Sequence, residues 1–138
     1  MTKRVSIAKL KEDCAKLTQK LVRLKAADKN GYCECVTCGI RKHWKEMQGG
    51  HFIERRKTST LLVEENIHPQ CPGCNLYRMK LSSTILAYRR YMVDMYGEHF
   101  VTQLEIESSK PKKFTADELY TLKKELNERI DERLTEIS

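Results

Sequence analysis

The sequence predicts an α+β fold, mostly helical, in which a zinc-stapled segment is flanked by an N-terminal helix and by C-terminal helices. Two Cys-x-x-Cys pairs predict the zinc site, and apolar residues spaced three or four apart near both ends predict the helices. A chain of 138 residues holds one modest core. We therefore predict a single domain over 1–138, with an N-terminal helix at 6–30, a zinc-braced segment at 32–81 and a helical part at 83–138.

Residues 6–30 have the pattern of an amphipathic helix. Ser6 can cap its start, and Gly31 can supply the left-handed residue that ends it. Cys14 lies on the apolar face, so we expect it in the core and not at a metal. That face consists of Ile7, Leu10, Cys14, Leu17, Leu21 and Leu24. It requires a partner helix, either from the C-terminal part of the chain or from a second copy in a homodimer.

Three helices are expected after residue 83. The first stops at Gly97, the second covers 98–107, and the last covers about 116–136 and begins at a capping box formed by Thr115 and Glu118. The apolar face of the first consists of Ile85, Tyr88, Met92 and Met95.

The middle of the chain contains the predicted metal site. Two tight turns carry Cys35, Cys38, Cys71 and Cys74, and four thiolates form the tetrahedral shell that structural Zn²⁺ prefers. Cys33 is a weaker candidate, because its C-x-C spacing to Cys35 is less suitable. The 32 residues between the pairs exceed the roughly 15–20 of a zinc ribbon. We expect this insertion to carry the function. The sequence predicts antiparallel strands at 47–53 and 60–63 within it, and a helix from Pro72 to about Lys80 after it.

Charge favours an anionic partner. The net charge is +7 and the pI about 9.1. Residues 1–31 hold nine basic and three acidic side chains, residues 32–96 ten and six, and residues 97–138 seven and ten. The basic surface thus belongs to the first two thirds of the chain, and nucleic acid is a suitable partner. A solvated basic face with no ligand would give the same composition.

Composition also limits the compartment. No apolar run approaches the roughly 20 residues of a membrane span, and the N-terminus has no apolar signal core. We therefore expect a cytoplasmic protein with no membrane partner, and six reduced cysteines.

The long insertion contains His51 and Asn66, and Asn75 directly follows the second cysteine pair. With the two cysteine pairs, these residues and their spacings resemble zinc-braced HNH nucleases (His-Me finger, ββα-metal). The resemblance implies a ββα-metal finger.

A closer resemblance covers about residues 20–135. The segments that carry it are Gly31-Tyr-Cys-Glu-Cys-Val-Thr-Cys38, His43-Trp-Lys-Glu-Met47, Gly50-His-Phe-Ile53, Asn66-Ile-His-Pro-Gln-Cys71 and Met95-Tyr-Gly97. They are similar to the NinG (Rap) recombination proteins of lambdoid and related phages. That family implies a phage-encoded endonuclease in the host bacterial cytoplasm. It would act on branched recombination intermediates such as D-loops and Holliday junctions, without a small-molecule cofactor.

On this interpretation each motif residue has a role. A neutral His51 takes the proton from water, and Asn75 offers its amide oxygen to Mg²⁺ or Mn²⁺. Asn66 orients the His51 loop through hydrogen bonds. The basic side chains that would hold DNA phosphates are Arg55, Arg56, Lys57, Arg78 and Lys80.

One position departs from the HNH pattern. Many HNH enzymes place an acidic metal ligand directly before the catalytic histidine, and this chain has Gly50 there. Another ligand is then required beside Asn75; Gln48, Glu54 and His68 are candidates, and we favour His68. The same departure supports an alternative function, a non-catalytic zinc-stabilised DNA-binding module.

Overall fold

A computed structural model describes residues 5–137 of the chain. Its α-helices are α1 (Ile7–Ala26), α2 (Ser82–Tyr96), α3 (Glu98–Glu107) and α4 (Ala116–Leu134). Its strands are β1 (Tyr32–Glu34), β2 (Arg41–His43), β3 (Gln48–His51) and β4 (Ile67–Gln70). Two antiparallel pairs form, β1 with β2 and β3 with β4. No helix within residues 5–137 is long and apolar enough to cross a membrane.

The largest core lies between α1 and α4. Leu10, Leu21 and Leu24 of α1 are buried with Leu119 and Leu126 of α4 in one cluster. Cys14 also belongs to this cluster, and its Sγ lies 3.4 Å from the carbonyl oxygen of Leu119. The prediction that Cys14 is a core residue is confirmed. The C-terminal helix of the same chain therefore covers the apolar face of α1.

The end of α1 differs from the prediction. The helix stops at Ala26, and Ala27 has an extended backbone with ψ of 141°. The carboxylate of Asp28 then accepts hydrogen bonds from the backbone N–H groups of Asn30 and Tyr32. Such local bonds compete with the helical ladder. Gly31, with φ of +89°, completes this turn and is not the helix cap.

The first predicted strand forms, but its predicted partner was wrong. β3 pairs with β4, so that Gly50 faces His68 and His51 faces Ile67. Residues 60–63 instead form consecutive turns, closed for example by the bond from Val63 N–H to the Thr60 carbonyl oxygen. Their apolar character reflects burial of the loop, since Leu61 is 9% exposed. Apolar runs of this length do not distinguish a strand from a buried turn.

After Pro72 the chain is helical but irregular. One π-helical turn covers Gly73–Tyr77, and a 3₁₀ turn covers Arg78–Lys80. The predicted helix therefore exists as two short turns. Cys74 and Asn75 are neighbours within the π-helical turn, so this one turn contributes both to the metal site and to the cleft described below.

A second core forms between α2 and α3 around Tyr88, Met92, Val101 and Leu104. The predicted apolar face of α2 was half right, since Ile85 and Met95 are exposed and Thr84 is buried in their place. Gly97, with φ of +90°, ends α2 as predicted. The hydroxyl oxygen of Thr115 accepts a hydrogen bond from the Glu118 N–H and caps α4.

Candidate functional site

Four sulfur atoms meet beside the β1–β2 hairpin. The Sγ atoms of Cys35, Cys38, Cys71 and Cys74 all lie within 4.8 Å of one another. A tetrahedral zinc site with Zn–S bonds of about 2.3 Å has sulfur–sulfur edges of about 3.8 Å, and Cys38 Sγ lies 3.7 Å from Cys71 Sγ. The donor set and its spacing therefore suit a structural Zn²⁺. Cys33 is buried in the α1 core and lies outside this cluster.

Electrostatics in the cluster favour a cation. Burial raises the pKa of the Cys35 thiol, but hydrogen bonds from Thr37 and from backbone N–H groups outweigh it and lower that pKa to about 6. The pKa of Cys38 is raised to about 12, first by burial and then by hydrogen bonds with the neighbouring thiols. One thiolate thus opposes ionisation of the next, and a divalent cation among the sulfurs would remove this repulsion.

A cleft of about 790 Å³ opens between α1, β3 and the π-helical turn. Among the predicted site residues it contains His51, Asn75 and Arg55. Gln48 and Glu54 also line it. Two elements far apart in the chain, strand β3 and the turn after Pro72, therefore bring the histidine and the helix-borne asparagine to one surface.

His51 ends β3 and is held in a defined tautomer. Its Nε2 lies 3.0 Å from the carbonyl oxygen of Leu61. A carbonyl oxygen only accepts hydrogen bonds, so Nε2 carries the proton and Nδ1 keeps its lone pair. Burial lowers the pKa of His51 below its ordinary value of 6.5. The imidazole is therefore neutral at physiological pH, which is the form of a base.

Asn66 is fully buried and bonds to the loop that follows His51. Its Oδ1 accepts a hydrogen bond of 2.9 Å from the Ile53 N–H. Its Nδ2 donates to the carbonyl oxygens of Ile53, at 3.1 Å, and Thr60, at 3.2 Å. These contacts join the two ends of the loop between β3 and β4. Asn66 precedes β4, whereas the sequence placed it after the second strand.

Asn75 contacts the strand opposite it. Its Nδ2 donates a hydrogen bond of 2.7 Å to Oε1 of Gln48. Amide and carboxylate oxygens are the ligands that Mg²⁺ and Mn²⁺ prefer. The cleft offers such oxygens from Asn75, Gln48 and Glu54, so its donor set is compatible with one of these cations.

His68, the favoured second metal ligand, lies elsewhere. Its Nδ1 is 3.3 Å from the hydroxyl oxygen of Tyr88, and its Nε2 is 2.8 Å from that of Tyr96. Burial lowers its pKa to about 4. The structure therefore places His68 in an aromatic cluster under α2 and not in the cleft with Asn75. Of the three candidates, Gln48 and Glu54 have the suitable position.

Packing explains why position 50 is glycine. A Cβ atom on Gly50 would lie 1.8 Å from Oε1 of Gln70, a side chain that is fully buried. An aspartate or glutamate would displace it. An acidic ligand directly before His51 is thus incompatible with this arrangement of β3 and β4.

The predicted phosphate-binding residues have different surroundings. Arg55 lines the cleft and lies 3.9 Å from Glu12, while the exposed Arg56 forms an ion pair of 2.9 Å with Glu54. Lys57 and Lys80 are exposed. Arg78 lies outside the cleft, with Nη1 3.4 Å from Cys74 Sγ. The structure brings only Arg55 of this group into the cleft.

Sequence reasoning missed two cleft residues on α1, Gln19 and Arg23. Both lie in α1, whose apolar stripe predicts packing against another helix and no contact with a ligand. Arg23 does fall within the basic N-terminal segment, but no spacing relates α1 to His51. Only the packing of α1 against β3 brings Arg23 into the cleft that His51 also lines.

One comparison with known proteins agrees with the NinG resemblance. A family model described as "Bacteriophage Lambda NinG protein" matches residues 1–135. No curated protein matches the chain, and no solved structure matches it. Because the family match covers almost every residue, including the cysteine cluster and the cleft, the chain belongs to the NinG family of bacteriophage proteins.

Proposed function

We propose that this NinG-family protein is a zinc-braced endonuclease of the HNH type, which hydrolyses phosphodiesters in branched DNA. The observation that carries this proposal is the state of His51, a neutral histidine lining an open cleft, with Nε2 bonded to a backbone carbonyl. This arrangement keeps the imidazole neutral and leaves Nδ1 with a lone pair, which is the state that a general base requires.

The proposed reaction uses the free nitrogen of His51. Nδ1 accepts a proton from water, the resulting hydroxide attacks phosphorus, and the bond from phosphorus to the 3′-oxygen breaks. When bound near Asn75, Mg²⁺ or Mn²⁺ would neutralise phosphate charge and stabilise the departing oxygen. Asn75 would hold this ion, with Gln48 and Glu54 as neighbours. Asn66 would keep the His51 loop in place through its three hydrogen bonds.

Branched recombination intermediates, such as D-loops and Holliday junctions, are the substrates that membership of the NinG family suggests. Recognition would rest on phosphate contacts from Arg55 in the cleft. Exposed basic side chains outside the cleft would add further contacts to the DNA backbone: Arg56, Lys57, Arg78 and Lys80. A homodimer would allow paired cuts in a four-way junction. Its interface would lie outside the buried face of α1, which α4 already covers.

A second function is favoured by Gly50. Without an acidic residue before His51, the cleft has fewer charged oxygens for a metal than many HNH enzymes have. A non-catalytic, zinc-stabilised module that binds DNA would require the sulfur cluster and the basic surface alone.

One experiment separates the two functions. Four-way junctions and matched linear duplexes are incubated with the zinc-loaded protein, with and without added Mg²⁺ or Mn²⁺, beside a His51→Ala variant. Nuclease function predicts metal-dependent cleavage that falls about 10²–10⁴-fold in the variant, with junction binding and zinc content retained. A binding module predicts equal junction affinity for both proteins and no cleavage by either.

A further inference from the structure

Arg23 is a cation in the cleft whose hydrogen bonds all go to backbone. It projects from α1 and lines the same cleft as His51 and Asn75. Its Nε donates to the Gln19 carbonyl oxygen at 3.2 Å. Its Nη1 donates to the carbonyl oxygens of Trp44, at 3.1 Å, and Met47, at 3.2 Å. These bonds fix the position of the guanidinium.

The same bonds leave part of the side chain available. A guanidinium carries five N–H groups, and the two on Nη2 take no part in the contacts to Gln19, Trp44 and Met47. Burial lowers the pKa of Arg23 from its ordinary value of 12.5, because a half-buried positive charge is poorly solvated. An anion in the cleft would compensate this charge.

Other arginines of the described chain have carboxylate partners. Arg89 is held by Glu98 and Glu105, and Arg129 by Glu64. No carboxylate within residues 5–137 forms an ion pair with Arg23. Arginine is also the side chain best suited to phosphate, because its planar fork donates to two oxygens at once.

We propose that Arg23 binds a phosphate of the DNA backbone in the cleft through Nη2, so that α1 forms one wall of the DNA site. The identity of the anion rests on the proposed nuclease function. A cleft that cuts DNA must hold the phosphates that flank the one attacked near His51. The helix that packs the core on one face would then contact substrate on another.

The test measures how the affinity for a fluorescent four-way junction depends on salt, in buffer without Mg²⁺ or Mn²⁺ and without chelator. Each phosphate contact contributes about 0.9 to the slope of log affinity against log salt. Arg23→Gln should lower that slope by about 0.9 and weaken binding about tenfold at the lowest salt.

Arg133→Gln is the matched control. Arg133 also donates to backbone carbonyl oxygens, those of Leu24 at 2.9 Å and Ala27 at 2.7 Å, but it lies outside the cleft. Its substitution removes the same charge and comparable backbone bonds, together with an ion pair to Glu136 at 2.6 Å, and it should leave the slope unchanged. Equal slopes for the native protein and Arg23→Gln would overturn the proposal, as would equal losses in both variants.

A measurement on the unaltered sequence covers the case in which Arg23→Gln does not fold. In ¹⁵N-labelled protein, the Nε–H signals of Arg23 and Arg133 are followed as the junction is added. The Arg23 signal should shift and that of Arg133 should not; an unmoved Arg23 signal overturns the proposal. This outcome is independent of cleavage. Normal cutting by His51→Ala would refute the nuclease mechanism alone, and an unchanged Arg23 slope would refute the phosphate contact alone.

Discussion

The hydroxyl group of Tyr88 donates a hydrogen bond of 2.6 Å to the carbonyl oxygen of Gly50, the residue before His51. Because this hydroxyl donates to Gly50, it can accept the proton of His68 Nδ1, and His68 Nε2 can then accept from Tyr96. A chain of buried and half-buried polar groups therefore runs from α2 to the peptide that precedes the proposed base. His68 therefore has a structural role, as the middle group of this hydrogen-bond chain.

We predict that Tyr88→Phe slows cleavage more than it weakens DNA binding. Removing the hydroxyl takes this donor from the Gly50 carbonyl oxygen and leaves His68 Nδ1 without its acceptor. The loss should cost about 1–3 kcal/mol of unfolding free energy. It should also loosen His51, so single-turnover rates should fall while junction affinity stays the same. Tyr91→Phe is the control, since Tyr91 packs against His68 through its ring. Equal rates for both variants would argue against positioning through Tyr88.

Stability should fall with acid because of His68. Its pKa is about 4 in the folded chain against about 6.5 in the unfolded chain, so the unfolded state binds more protons between these values. This contribution is fully present above pH 6.5, is lost as pH falls toward 4, and amounts to about 3 kcal/mol. Urea unfolding at pH 7.5 and 5 should detect about 2 kcal/mol of this contribution, because pH 5 still lies above the folded pKa of about 4. The loss should be smaller in His68→Gln, and an equal loss would contradict the assignment.

Zinc should be required for folding. Thiolate-bound zinc contributes directly to the free energy of folding, so Cys74→Ser should lose metal and thermal stability together. Elemental analysis should find about one zinc per native chain. Cys33→Ala is the matched control, because Cys33 is buried next to the cluster but outside it. It should keep its zinc.

Gly50→Ala should destabilise the chain by about 1–3 kcal/mol, because the new methyl group overlaps the buried Gln70 side chain. Gln70→Ala in the same chain should restore part of that loss. The two substitutions should therefore be coupled in a double-mutant cycle followed by urea unfolding. Strict additivity would show that the Gly50–Gln70 contact is not responsible.

Asn75→Ala should lose activity through weaker metal binding. Excess Mn²⁺ should then restore part of the cleavage rate, since mass action offsets a weaker site. His51→Ala should gain nothing from Mn²⁺, because it lacks the proton acceptor. Titration of cleavage rate against Mn²⁺ for both variants distinguishes a metal defect from a base defect. Equal rescue of the two would contradict the separate roles proposed for these residues.

Local patterns predicted much of this architecture. The two cysteine pairs, the cap at Thr115 and the stop at Gly97 depend on a few neighbouring residues, and each is as expected. The errors lie where distant parts of the chain meet. The partner of β3, the place of His68 and the presence of Arg23 in the cleft all depend on how α1, β4 and α2 pack, which no spacing along the chain reveals.

The pairing of α1 with α4 has a consequence for synthesis. Cys14 and Leu119, which contact each other, are 105 positions apart. At about 5–20 residues per second, a ribosome needs roughly 5–20 s to add that interval. Throughout this time α4 is not available to pack against α1, so the nascent chain exposes apolar surface that chaperones can bind. Premature termination before α4 would leave that surface permanently exposed and favour aggregation.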